Sequence, residues 1–209
     1  MATSLTEPKV AQTDHSDESE APATFGSAAL SALVARAEVL GGGAAPVERW
    51  NPPDCGPIPM RIDRNGRWHY LGSPINRERL VTLFSRILRR EADGSFVLVT
   101  PHEKVTIAVD DAPFTGVELA VDGIGDAKTL VVRTNVGDVV RVGAQHPLRF
   151  AAQAKTGGLL PYVTVRGGLE ARLTRAAAYE LAEYMDEVDG QMGVRSGGVV
   201  FRVPNEATQ

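Results

Sequence analysis

The sequence contains one cysteine, Cys55, so no internal disulfide framework and no cysteine-built zinc site can form; a reducing compartment suits such a chain. Long apolar runs are missing too. The longest uncharged stretch, Ala21 to Ala35, is too short and too rich in Ala, Ser and Gly to cross a bilayer. No basic region precedes it, so secretion is not expected and a cytoplasmic location is. His15, His69, His102 and His146 are too scattered to suggest a metal cluster. P-loop, HExxH and GxSxG signatures are absent, and Gly41 to Gly43 follow a helical pattern, not a strand, which excludes a dinucleotide fingerprint. No catalytic residue, cofactor or metal is assigned.

Excess charge is absent from the body. Residues 1–24 hold Glu7, Asp14, Asp17, Glu18 and Glu20 against Lys9, which leaves 21 residues of each sign in the remainder. The formal net charge of −4 therefore belongs to the N-terminal tail, and a neutral body argues against a dedicated nucleic-acid binder.

What is present suffices for a globular protein, since 43% of the 209 residues are hydrophobic. Residues 1–24 are polar and acidic and are expected to be disordered. Leu30, Leu33, Val34, Ala37 and Leu40 recur at helical spacing until Gly41-Gly42-Gly43, which predicts a peripheral helix on a flexible linker. Residues 1–45 are accordingly set apart from an N-terminal α+β subdomain at 46–101. A C-terminal β subdomain with a terminal helix is expected at 102–190, and a Gly-rich tail at 191–209, where Val199 to Val203 could add an edge strand.

In the first subdomain, Arg64-Asn65-Gly66 between Met60–Asp63 and Arg67–Leu71 reads as a hairpin, with Trp68 and Tyr70 on one face. Asn76 then caps a predicted helix carrying Leu80, Leu83, Phe84, Ile87 and Leu88 on its apolar stripe. Its outer face carries Arg79, Arg86, Arg89 and Arg90, which suits either solvent or phosphate. Strands follow at Phe96–Thr100, Val105–Val109, Val117–Val121, Thr129–Thr134, Val139–Val142, Leu148–Ala152 and Pro161–Arg166. A last helix starts at the N-cap Thr174, buries Ala177, Ala178, Leu181, Met185 and Val188, and stops at Gly190. One helix after a curled antiparallel sheet suggests a pleckstrin-homology-like barrel. The segment Pro161–Met185 resembles Arg67–Arg89, with Arg175 on Arg77 and Leu181 on Leu83, so a duplication is expected, with an interface between the two halves.

Candidate chemistry is mainly cationic. Tyr162, Thr164 and Arg166 share one strand face, which fits either a base-stacking, oxyanion-holding surface or ordinary solvent-facing residues. Arg149 points away from the face that holds Leu148 and Phe150, and Thr100 to Lys104 lie at a strand-to-strand bend. Asp110 and Asp111 point to opposite faces and read as a strand end before Ala112-Pro113, with Asp111 available to orient a cation.

At these motifs the chain resembles the bacterial domain-of-unknown-function family 1285 over about residues 50 to 185. The stretches IDRNGRWHYLGSPINRERLVTLFSRIL, LVTPHEKVTIAVDDAPF, TNVGDVV, HPLRF and PYVTVRGGLEARLTRAAAYEL carry the resemblance. It implies a duplicated two-domain fold with a ligand site between the halves and a nucleotide-type signalling ligand. By motif position, the site candidates it carries over are Arg77, Thr100, Glu103, Lys104, Asn135, Arg149, Tyr162, Arg166 and Glu170. The leading expectation is a non-enzymatic sensor that holds a small anionic ligand through Lys104, Arg149 and Arg166, with Tyr162 stacking. Its alternatives are a protein-interaction module using a strand edge and a hydrolase using Glu103 or Glu170 with His146.

Overall fold

The computed structural model describes residues 27–39, 45–153 and 157–204. The acidic segment 1–24 and the Gly41–Gly43 linker lie outside these residues. Helix α1 (Ser27–Glu38) is followed by a 3-10 turn at Val47–Arg49 and by strands β1 (Asp54–Ile62), β2 (Trp68–Tyr70) and β3 (Ser73–Pro74). Helix α2 (Glu78–Arg86) leads into β4 (Leu88–Arg90), β5 (Phe96–Val99) and β6 (Lys104–Val109). A second series comprises β7 (Phe114–Asp122), β8 (Thr129–Thr134), β9 (Val139–Arg141), β10 (Leu148–Ala152), β11 (Leu159–Arg166) and β12 (Leu169–Leu173). Helix α3 (Arg175–Ala182) and strands β13 (Met185–Val188), β14 (Gln191–Ser196) and β15 (Val199–Arg202) end the fold.

The architecture is α+β, built on two six-stranded sheets with one shared topology. The first has the order β3-β2-β1-β6-β5-β4, and the second β10-β11-β12-β7-β8-β9. Each sheet is therefore two antiparallel three-stranded meanders joined through their first and last strands, β1 parallel to β6 and β7 parallel to β12. Such a matched arrangement points to internal duplication. Its register differs from the one expected. Since β1–β6 match β7–β12, the β2–β3 hairpin matches β8–β9, while the sequence alignment placed it on β11–β12. The two strand-turn-strand-helix stretches look alike locally but occupy different places, because α2 lies inside the first repeat and α3 follows the second. The change of sheet falls between Val109 and Phe114, whereas the sequence division falls after Pro101.

The second sheet is a half-barrel, not the closed pleckstrin-homology-like barrel expected. Among the described residues its terminal strands β9 and β10 do not pair, and α3 packs alongside β7 and β12 without plugging a barrel end. Thr174 caps α3 as expected, its side chain accepting the Ala177 N–H, but the helix ends at Ala182, not at Gly190. Met185 and Val188 are instead strand residues, opposite Val194 and Gln191. A small sheet, β13-β14-β15, results. Ser196 fastens it to the second sheet, its Oγ accepting the Leu130 N–H at 2.8 Å and donating to the Val142 carbonyl at 2.7 Å.

Two further expectations change for similar reasons. Helix α2 is capped at Arg77, whose side chain makes no capping bond, and it stops at Arg86. Leu88 satisfies helical spacing but is buried as a strand residue opposite Leu98. Helix α1 is not a peripheral appendage: Leu33 and Ala37 are buried against the core, α1 packs on α2, and Arg36 pairs with Glu103. The Asp63–Arg67 hairpin forms as read, with Met60 opposite Tyr70 and Ile62 opposite Trp68. Trp68 is buried and stacks on Phe84 with ring centroids 5.9 Å apart.

Candidate functional site

Strand alternation sorts β10–β12 into two faces. Leu148, Phe150, Val163, Val165, Ala171 and Leu173 enter the core. Arg149, Tyr162, Arg172 and Thr115 form one row across four neighbouring strands on the other face. That face is turned toward the first half, so its polar side chains meet the turns of the first sheet.

Within the row, the Arg149 guanidinium lies 4.0 Å from the Tyr162 ring centroid and forks onto Glu170, with both nitrogen–oxygen distances 2.6 Å. Hydrogen bonding to Glu170 raises the Arg149 pKa, so the cation is fully retained. Tyr162 is only 5% exposed; its hydroxyl donates to Asp111 Oδ1 at 2.8 Å. Burial, then the Asp111 carboxylate, pushes the phenol pKa up. Asp111 Oδ2 also accepts from Arg172 at 2.8 Å, and Arg172 donates to the Arg64 carbonyl in the first hairpin turn. Asp111 does orient a cation.

Other candidates complete a seam between the halves. Arg166 pairs with Asp138, lies 5.0 Å from the Phe114 ring centroid, and donates to the Ser85 carbonyl at 2.7 Å, at the end of α2. Asn135 accepts the Thr115 N–H at 3.0 Å and donates to the Gly66 carbonyl at 3.3 Å. Gly66 fits there because of what it lacks: its φ is +73°, and a Cβ would sit 3.1 Å from Thr115 and 3.2 Å from Asn135.

The remaining candidates lie elsewhere. Lys104 belongs to β6 of the first sheet, with Asp54 at 3.8 Å and Glu91 at 3.9 Å. Its contacts do not join it to Arg149 or Arg166, so the three cations expected around one hollow are not gathered, and each has its own carboxylate. Thr100 is fully buried and holds its own turn, its Oγ1 accepting the N–H groups of His102 and Glu103. Glu103 faces Arg36, and Arg77 is exposed at the start of α2. His146 Nδ1 lies 3.1 Å from the Thr164 carbonyl oxygen, and neither Glu103 nor Glu170 is among its partners.

Sequence reasoning missed Arg172, although it lies two residues beyond Glu170 on the same strand face. It also missed a cleft of about 490 Å³ beside the first hairpin turn, lined by Arg61, Asp63, Arg64, Asn65 and Asp110. A second open cleft, about 520 Å³, lies along α2 and includes Glu38, Glu78, Arg79 and Arg86. Neither is lined by any of the nine candidates. Among the described residues no group of three or more His, Cys, Asp or Glu could hold a metal ion, and no helix is long and apolar enough to cross a membrane.

In the first cleft, burial pushes the Asp63 carboxyl up, but bonds from His69 and from the Arg67 and Asn65 amides outweigh it and hold the group below the usual carboxylate range. Asp110 is also held low, chiefly by its hydrogen bonds from Arg61. Because both values are depressed in the folded state, the stabilisation is full above about pH 4 and is lost as pH falls through the folded-state values. Urea midpoints are expected to drop below about pH 4, and to drop less steeply for Asp63→Asn.

Comparison with known proteins follows the same division of the chain. The DUF1285 N-terminal domain model, described as a domain of unknown function, matches residues 45–112. The DUF1285 C-terminal domain model, described as a protein of unknown function, matches residues 113–203. Among solved structures, that of a DUF1285 family protein from Silicibacter pomeroyi DSS-3 is 46% identical with a TM-score of 0.77, covering 82% of this chain and 93% of its own. Another, from Shewanella baltica OS155, is 26% identical with a TM-score of 0.48, covering 60% of this chain and 91% of its own. None of the curated proteins matches.

Proposed function

Since the chain belongs to the DUF1285 family, whose descriptions name no activity, we propose from its own residues that it is a non-enzymatic binding module for a small phosphate-bearing ligand, held by Arg149 at the rim of the seam. The observation that carries this reading is the state of Arg149. Its guanidinium is half-exposed, held flat on Tyr162, and forked onto one carboxylate.

Planarity and five fixed donors make such a group a phosphate receptor, provided that Glu170 can be displaced. The pair is bidentate and Glu170 is only 20% exposed, so it holds more strongly than an ordinary surface pair, and a phosphate dianion displaces it by bringing a second negative charge and a third acceptor oxygen. Tyr162 serves as the platform for the guanidinium, because Arg149 already covers its ring. Arg166 and Asn135 then contribute by keeping the halves in register, and Lys104 has no part in the site. A ligand that prefers one arrangement of the halves would shift their equilibrium, which is how binding would become a signal.

Thermal-shift titration with nucleoside monophosphates and inorganic phosphate tests the reading. A site filled to about 100 times its dissociation constant adds about 2.7 kcal/mol, or a rise of roughly 5–10 °C for a chain of this size. Arg149→Ala is expected to abolish the rise. No shift at millimolar ligand, or an equal shift in the variant, overturns the proposal. For the strand-edge alternative, β9 is only three residues long and the edge strand β3 contains Pro74, which leaves β10 as the edge of the second sheet open to strand addition.

A further inference from the structure

The cleft of about 490 Å³ beside the first hairpin turn is walled by Arg61, Asp63, Arg64, Asn65 and Asp110, so its whole lining is polar or charged. Its volume falls within the roughly 300–1,000 Å³ of small-ligand sites, but an apolar or aromatic ligand finds no matching surface there. Charge narrows the class further. Two carboxylates disfavour a bare dianion, and two guanidiniums disfavour a bare polyamine. A molecule that carries one charge of each sign meets both.

The hydrogen-bonding capacity left over in the walls has the same character. An ionised carboxylate offers about four acceptor positions. Asp63 spends three of them, on the Asn65 N–H at 2.8 Å, the Arg67 N–H at 3.1 Å and His69 Nε2 at 3.0 Å. Asp110 spends two, both on the Arg61 guanidinium. Acceptors for a further cation therefore remain on both. Hydrogen bonds from Arg61, and beyond these the charges of Arg61 and Arg64, keep Asp110 ionised, while the neighbouring Asp63 charge opposes it. A cation set against both carboxylates relieves that repulsion. On the opposite side of the balance, Arg64 is exposed, and its guanidinium has no ion-pair partner among the described residues.

These walls are fixed before any ligand arrives. The Arg64 carbonyl is held by Arg172 and the Gly66 carbonyl by Asn135, so the turn is fastened to the second sheet at two points. Fixed donors and acceptors cost little ordering on binding.

We propose that this cleft binds a free amino acid with a small polar side chain, its carboxylate on Arg64, its ammonium against Asp63 and Asp110, and its side chain toward Asn65. The site is separate from Arg149, which lines no part of it, and does not depend on the phosphate reading.

Titration of the full chain with glycine, L-serine and L-asparagine, followed at the amide cross-peaks of Asn65 and Gly66, tests the site. Saturable shifts of both peaks are expected at about 10 mM ligand or below. N-acetylglycine lacks the ammonium and glycinamide lacks the carboxylate, and each is expected to bind at least about tenfold more weakly. Arg64→Ala removes the guanidinium but keeps the carbonyl that Arg172 holds, so it should retain the melting temperature and lose amino-acid affinity by a similar factor. Inorganic phosphate should not displace the amino acid. The proposal is overturned by the absence of a saturable shift with any standard amino acid at about 10 mM, by equal binding of either half-ligand, by displacement with phosphate, or by undiminished binding to Arg64→Ala.

Discussion

Truncating Phe114 to alanine is expected to lower stability by about 3–5 kcal/mol, a large share of the roughly 5–15 kcal/mol that holds a domain folded. Phe114 is fully buried at the start of β7, directly after the connection between the sheets, and pairs across the parallel strands with Ala171. Its ring also faces the Arg166 guanidinium, which carries the bond to the Ser85 carbonyl. The substitution therefore opens a core cavity and removes the platform of a seam cation together. Phe114→Leu separates the two effects, because it retains most of the volume but no aromatic face. A loss of about 1–2 kcal/mol is expected for it, combined with faster amide exchange near Ser85. Urea unfolding with intact slopes provides the measurement. If Phe114→Ala lost less than about 1 kcal/mol, the second sheet would have to be far looser than its packing indicates.

Strands were the legible part of this chain. Thr129–Thr134 and Leu148–Ala152 have the same limits in sequence and structure, because alternation of apolar and polar residues is a local property of a half-buried strand. Helix ends were less legible where an apolar spacing satisfied both periods. Ile87 and Leu88 continue the stripe of α2, yet Asp93-Gly94 turns the following segment back as a hairpin and draws Leu88 into β4. Met185 and Val188 repeat the case, since Asp189-Gly190 is a hairpin turn that helical spacing concealed. The duplication was legible in kind but not in register: strand pairing over some fifty residues defines it, and no local motif encodes which strands are neighbours. At the site, alternation turned Arg149, and Tyr162 with Thr164, away from the core face, but it fails at Arg166, because the register shifts after Thr164 and sets Arg166 opposite the buried Leu169 with its guanidinium over the buried Phe114 ring. It could not show that carboxylates and carbonyls distant in sequence, from Asp111, Asp138, Ser85 and Arg64, would already engage these side chains and Arg172.

Asp111 is the residue whose loss should test the seam most directly, and Asp111→Ala is expected to cost about 2–3 kcal/mol. One carboxylate there receives both the Tyr162 hydroxyl and the Arg172 guanidinium, so its removal strips two part-buried donors of their acceptor. Breaking a fully buried pair typically costs about 3–5 kcal/mol; Asp111 and Arg172 retain about a fifth of their side-chain exposure, and solvent screening reduces the figure. Arg172 also holds the Arg64 carbonyl, so the effect should travel to the hairpin turn as faster amide exchange across residues 63–67. Asp111→Asn keeps an acceptor for the phenol but loses the charge opposite Arg172, and should fall between the wild type and Asp111→Ala. Combining Asp111→Ala with Tyr162→Phe should cost less than the separate losses added together, because the two substitutions remove the same bond. Additive losses, or unchanged exchange at 63–67, would show that the sheets are held together by apolar packing alone and that the polar row does not connect them.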